Sequence, residues 1–262
     1  IESVGSGVTS VAPGDKVLLT PLAPCGQCYW CSRGEPTGCL EAQSFTSGLR
    51  PDGTSPFSQD GICIHRGLGV AGFSELTIVP DAGVVKLDPD IPLDIACVIG
   101  CAVQTGVGAV FNSARVEVGS TVFVTGLGGI GISIVQGARI AGAGKIIVSD
   151  PVAERREAAI HFGATYTINP DEDEVIPKVL EETKAIGVDY AFEAAGVASL
   201  VDTCINASRI GGTTVIVGAD ASLSTVQILP VLIATMGKKI IGSFLSEELN
   251  FTSSLIIFNS SC

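Results

Sequence analysis

The run Cys25-Gly26-Gln27-Cys28-Tyr29-Trp30-Cys31, closed by Cys39, limits what the chain can become more than any other stretch. Thiols separated by two residues let one tight turn aim both sulfurs at a point, which a tetrahedral metal needs. Gly26, Gly34 and Gly38 allow the backbone to close around that point and offer N–H groups to the crowded thiolates. Four thiolates leave no open coordination position, so such a site holds a fold together and does no chemistry. The surrounding loop, with Pro21, Pro24 and Pro36, has few groups for a core of its own and is expected to fold around its metal. The bacterial ferredoxin pattern also begins C-x2-C-x2-C, but it continues with x3-C-P. Here Cys39 comes later, Leu40 follows it, and no second set of cysteines repeats the spacing. Structural zinc is therefore the expected occupant.

With 262 residues, 46% of them hydrophobic and 16% charged, the chain is expected to be compact rather than disordered. Its net charge of −12 argues against nucleic acid or an anionic membrane as partner. No uninterrupted apolar run reaches the length of a bilayer. Without a basic and apolar leader at the front, nine cysteines fit reduced thiols in the cytoplasm rather than disulfides. Both ends read as cut. Ile1-Glu2-Ser3-Val4-Gly5 looks like the middle of a strand and turn, and Ser254-Leu255-Ile256-Ile257-Phe258 runs on to Cys262 without a helix stop. The expectation is a fragment, or a chain with an aberrant end.

Up to about Asp90 the chain alternates Gly and Pro with short β-branched runs: Lys16–Leu19, Leu76–Val79 and Val84–Leu87. These predict short strands in a β-rich lobe interrupted by the cysteine loop. Leu93–Cys101 reads as a helix entering a second region, where strands and helices alternate. Strands are predicted at Thr121–Thr125, Lys145–Val148, Thr165–Ile168, Val188–Phe192, Thr213–Val217 and Lys238–Ile241. Nearly unbroken apolar strands in that rhythm imply an α/β fold, a doubly wound parallel sheet covered by helices on both faces. The boundaries expected are 1–98 for the β-rich lobe, with its zinc loop at 25–39, then 99–245 for the sheet domain and 246–262 for an atypical tail.

Gly126-Leu127-Gly128-Gly129-Ile130-Gly131 follows a predicted strand and opens a predicted helix, the context in which G-x-G-x-x-G carries meaning. Gly126 permits the tight turn, Gly128 removes a side chain that would block a pyrophosphate, and Gly131 lets helix approach strand. The helix N-terminus, from Gly129 and Ile130 onward, presents unpaired amides to the phosphates. Asp150 ends the next strand, where its carboxylate can accept both ribose hydroxyls of an adenosine and repel a 2′-phosphate. NAD is favoured over NADP, with Arg155 and Arg156 nearby as the counter-indication. An Asp at a strand end can also simply cap the segment before Pro151.

The cysteine loop, then Gly100-Cys101-Ala102-Val103-Gln104-Thr105-Gly106, then the glycine turn, in that order and spacing, resembles the zinc-containing alcohol dehydrogenases of the medium-chain dehydrogenase/reductase family. Val188-Asp189-Tyr190-Ala191-Phe192-Glu193-Ala194-Ala195-Gly196 and Arg209-Ile210-Gly211-Gly212-Thr213 look like the second half of that family's nucleotide domain. The resemblance covers about residues 1–245. It implies a Rossmann domain beside a truncated GroES-like lobe. In that lobe Cys25, Cys28, Cys31 and Cys39 would hold a structural zinc, and Cys101 matches one ligand of the catalytic zinc. Thr105, one helical turn later on the same face, matches a residue beside the nicotinamide. Ala194, Ala195, Val217, Gly218 and Ala219 match backbone lining the nicotinamide end, and Arg155 joins Asp150 at the adenosine end.

The implied reaction is NAD-linked oxidation of a small-molecule alcohol to an aldehyde or ketone, in a homodimer or homotetramer. The family's other catalytic ligands, a Cys with a nearby hydroxyl residue and a Gly-His-Glu, have no counterpart here. His65 reads as a satisfied loop histidine and His161 as a packed or capping one. One cysteine cannot hold a catalytic zinc, so the residues as written are expected to be inactive alone. The alternatives are a zinc-stabilised NAD-binding module without catalysis, or a polyol or S-hydroxymethylglutathione-type dehydrogenase of the same architecture.

Overall fold

In a computed structural model of the chain, which describes residues 1–50, 52–219 and 224–245, the backbone forms two compact units that divide after Cys101. The first holds two small sheets. Strand β1 (Val17–Leu19) pairs antiparallel with β4 (Val84–Lys86), Leu18 opposite Val85. β2 (Phe57–Gln59) pairs antiparallel with β3 (Ile62–Ile64) through Asp60-Gly61, whose φ of 52° and 79° are the left-handed values an Asp-Gly hairpin turn favours. Short helices α1 (Tyr29–Ser32), α2 (Ser44–Ser47) and α3 (Leu93–Ala96) lie between and after these strands.

Two expectations for this unit are corrected. Leu76–Val79 is not a strand. Leu76 and Ile78 are exposed, and the Ile78 carbonyl accepts from the buried Arg66 guanidinium at 3.1 Å instead of from a neighbouring strand. Arg66 also donates to the carbonyls of Gly48 and Leu49, so one side chain organises three stretches of loop. Residues 1–5 are likewise unpaired as a strand; the Ile1 ammonium donates to the Asp15 carbonyl at 2.7 Å.

The predicted helix from Leu93 runs on to Ala114 through π-helical turns at Ile99–Val103 and Ala109–Ala114, which flank α4 (Gln104–Gly108). With 22 residues and a mean hydropathy of 1.7, it is long and apolar enough to cross a membrane by length and composition, although Asp94 and Gln104 interrupt its apolar residues. Its apolar stretch is 61% buried inside the protein, as in a core helix.

The second unit carries the parallel sheet. Its strands are β5 (Thr121–Thr125), β6 (Lys145–Ser149), β7 (Tyr166–Ile168), β8 (Val188–Glu193), β9 (Ser208–Ile216) and β10 (Lys239–Gly242), in spatial order β10-β9-β8-β5-β6-β7. Helices α5 (Gly129–Ile140), α6 (Ala153–Phe162), α7 (Val175–Glu182), α8 (Ala198–Ala207) and α9 (Pro230–Met236) make the connections. β5 shows why its run is unbroken: Val122 and Val124 pack into one core with Leu127, Ile134 and Phe192, while Phe123 packs into another with Ile147, Val188 and Cys204. Both faces of the strand are buried, so no polar alternation survives. The chain leaves β5 for β6 and β7 on one side and returns to β8, β9 and β10 on the other. In open parallel sheets, ligands bind at such a reversal, which here falls beyond the C-terminal ends of β5 and β8. The tail expected at 246–262 lies outside the described residues.

Candidate functional site

Two sites stand out, one in each unit. In the first unit, the Sγ atoms of Cys25, Cys28, Cys31 and Cys39 all lie within 4.8 Å of one another. Cys28 and Cys31 approach at 3.6 Å, close to the edge of a tetrahedron with metal–sulfur bonds of about 2.3 Å. Cys28 precedes α1 and Cys31 lies inside it, so one short turn supplies two ligands. Gly26 and Gly34 adopt φ of +76°, the left-handed conformation that reverses the chain around the sulfurs. At Gly38 a Cβ would lie 2.7 Å from the Trp30 ring, so the indole packs on bare backbone. The Cys25 N–H donates to the Cys39 sulfur at 3.4 Å. Without metal, main-chain N–H groups draw the Cys28 thiol down to about 7, while burial and the neighbouring thiols push Cys31 up to about 12. An all-sulfur, nearly closed set of this kind fits zinc.

In the second unit, β5 delivers the chain into the glycine turn. Gly126 has φ +85°, and a Cβ there would meet Ala195 at 2.7 Å. At Gly131 a Cβ would lie 1.8 Å from the Gly126 carbonyl oxygen, so α5 rests directly on the turn. Gly128 is different. Its φ of −70° suits any residue, and nothing lies within 4 Å of an added Cβ. This glycine leaves space open at the N-cap of α5, in front of first-turn amides that have no acceptor within the helix. Gly128 and Gly129 are exposed and Ile130 half-buried, with no acidic side chain in the first turn. That arrangement can receive an anion.

Asp150, 3% exposed, follows β6 beside the turn. Its Oδ2 accepts the Leu127 N–H at 2.7 Å and its Oδ1 the Val152 N–H at 2.8 Å, so the residue does cap the segment after Pro151. Each carboxylate oxygen has a further lone pair for a hydroxyl donor. The exposed Arg155 guanidinium stands 3.6 Å from Oδ2, and Arg156 donates to the Asp150 carbonyl. Thr105 is buried on α4, which packs on the first turn of α5. At the neighbouring Gly106 a Cβ would meet the Ile130 carbonyl at 2.5 Å.

At the ends of β8 and β9, Ala194 and Gly218 are half-buried, Val217 buried, Ala195 and Ala219 exposed. The Ala194 N–H donates to the Thr125 carbonyl at 3.0 Å, which joins this group to the glycine turn. Glu193, a residue outside the sequence-predicted set, belongs here too. It is 1% exposed, and its Oε1 accepts from Ala195, Gly196 and Val197. A signal lies in the sequence: an acid closing the apolar run Tyr190-Ala191-Phe192, as Asp150 follows the run of β6.

Cys101 stands apart. It is exposed in the π-helical turn and joins no group of three or more possible metal ligands among the described residues. A catalytic zinc does not fit what is present around it. His65 is an exposed loop residue whose Nδ1 lies 2.6 Å from the Ser47 carbonyl, and His161 stacks edge-on with Phe162.

A family model described as "Alcohol dehydrogenase GroES-like domain" matches residues 1–89, and one described as "Zinc-binding dehydrogenase" matches residues 129–258. The chain is 41% identical over 239 residues to an alcohol dehydrogenase class-3 of Zea mays, covering 90% of this chain and 63% of that protein. It is 39% identical over 246 residues to an S-(hydroxymethyl)glutathione dehydrogenase of Synechocystis sp., covering 93% and 66%. It thus spans just under two thirds of the length of these curated relatives. Among solved structures, an alcohol dehydrogenase zinc-binding domain protein from Burkholderia ambifaria superposes with a TM-score of 0.90 at 31% identity, over 99% of this chain and 70% of that one. The chain belongs to the zinc-containing alcohol dehydrogenases of the medium-chain dehydrogenase/reductase family, enzymes that use zinc and NAD.

Proposed function

We propose that the second unit binds NAD across the glycine turn, and that the protein serves NAD-linked oxidation of an alcohol to an aldehyde or ketone. The observation that carries the binding reading is Gly128. Neither its backbone angles nor its neighbours require a glycine, whereas a pyrophosphate approaching the α5 amides does. Asp150 then accepts ribose hydroxyls at the end of β6, with Arg155 beside it. The phosphates face Gly128, Gly129, Ile130 and Gly131. Ala194, Val217, Gly218, Ala219 and the Thr105 side chain border the nicotinamide end. Bound there, NAD supplies the acceptor for a hydride from the alcohol carbon. What the chain's own residues contribute is binding and orientation.

Cys25, Cys28, Cys31 and Cys39 would hold a zinc that braces the first unit. Since Cys101 joins no set of three or more ligands among the described residues, we route no step through a catalytic zinc. These 262 residues are expected to bind NADH without turning over alcohol. A second reading of the substrate, a thiol-adduct alcohol, is supported by the relatives named S-(hydroxymethyl)glutathione dehydrogenase. The cysteine usage suits the cytoplasm, and we expect a homodimer or homotetramer. Calorimetry on zinc-loaded protein tests the central reading. Heat should accompany NADH addition, and none at millimolar NADH would sink it.

A further inference from the structure

Glu193 carries a negative charge into the centre of the second unit, and no ion pair of Glu193 occurs among the described residues. A buried carboxylate is costly unless donors meet it. Here the donors are three successive main-chain N–H groups, of Ala195 at 2.9 Å, Gly196 at 2.8 Å and Val197 at 3.2 Å. A bland explanation is that Glu193 caps α8, whose own N-cap residue, Val197, has no side chain to do so.

The surroundings say more. The Glu193 carbonyl accepts from both Val217 and Gly218 at 2.9 Å. At Gly218 a Cβ would lie 2.1 Å from the Gly196 nitrogen and 2.6 Å from Glu193 Oε2. At Gly196 it would meet the Ala219 carbonyl at 2.9 Å, and at Gly126 it would meet Ala195. One residue therefore locks the chain ends of β8 and β9 together, and packs them on the turn that leaves β5.

The sheet order gives this lock a direction. β6, with Asp150 at its end, lies on one side of β5, while β8 and β9 lie on the other. A dinucleotide with its phosphates at the β5 turn and its adenosine at Asp150 must place its second nucleoside over the backbone that Glu193 holds. We propose that Glu193 is a positioning residue for the nicotinamide half of the cofactor. It sets the Ala194–Val197 and Val217–Ala219 backbone without itself touching the adenosine half. This rests on the NAD reading above.

The test compares NADH with ADP-ribose, which keeps the adenosine, the diphosphate and the second ribose but lacks the nicotinamide. Calorimetry is run on zinc-loaded wild type, Glu193→Gln and Glu193→Asp. Gln keeps the shape and one acceptor without the charge, and Asp keeps the charge but withdraws it by a methylene. In both variants NADH affinity should fall about tenfold while ADP-ribose affinity stays within about twofold, which also shows that the unit is folded. Equal losses on both ligands, or no loss on either, would overturn the positioning role and leave the NAD reading standing. Wild type that binds neither ligand would overturn both.

Discussion

The Leu127 N–H donates to Oδ2 of Asp150 at 2.7 Å, so the carboxylate that we propose holds a ribose also holds the glycine turn in shape. Asp150→Ala leaves the amides of Leu127 and Val152 without their acceptor, at a cost of about 1–3 kcal/mol. NADH affinity should fall by about tenfold or more, and discrimination against NADPH should shrink, because the charge that repels a 2′-phosphate is gone. Titrating both nucleotides by fluorescence checks this. Undiminished NADH binding with unchanged preference would remove Asp150 from the site.

Gly128 and Gly131 should separate ligand space from packing. Gly128→Val puts a side chain into open space. It should leave the melting temperature within a degree or two and abolish measurable NADH binding. Gly131→Ala drives a methyl into the Gly126 carbonyl, which costs about 3 kcal/mol and lowers melting by roughly 5–10 °C. A Gly128 variant that binds NADH normally would show that the open N-cap is not where the phosphates sit.

Metal analysis should find about one zinc per chain and no iron absorption, since one closed set of four thiols is present among the described residues. Chelation should melt the cysteine loop and lower the stability of the first unit, while the far-ultraviolet signal of the parallel sheet and NADH binding persist. Loss of both units together on chelation would show that the metal braces more than its own lobe.

Asp15 lies ahead of β1 and pairs with Lys86 on β4 at 2.7 Å, while its other oxygen accepts the Ala12 N–H at 2.8 Å. The Lys86 and Ala12 hydrogen bonds hold its pKa below the ordinary 3.8. A lowered folded pKa means that the stabilisation is complete above the ordinary value and is lost as pH falls through the lower one. Amide protection in β1 and β4, relative to the intrinsic exchange rate at each pH, should therefore fall below about pH 4, and Asp15→Asn should flatten that dependence. An unchanged acid profile in the variant would deny Asp15 this role.

Much of the second unit was legible because β5, β6 and the later parts of β8 and β9 are buried on both faces, so these strands appear as nearly unbroken apolar runs. The first unit was harder to read. Leu76–Val79 has strand composition, yet Arg66 takes its carbonyl. The Phe57–Ile64 hairpin has only the Asp60-Gly61 turn to mark it in the sequence, since its strands are short and Ile62 and Ile64 are exposed.

By itself the sequence determined what depends on neighbours along the chain: the cysteine spacing, the glycine turn between strand and helix, and the acid at the end of β6. Only the tertiary structure decided that Asp150 reaches back to Leu127, that Glu193 joins the ends of β8 and β9, and that Cys101 joins no cluster of ligands among the described residues. Turn geometry is set within a few residues by φ and ψ. Which amide meets which carboxylate depends instead on the order of strands in the sheet, and that order exists only once both faces are packed.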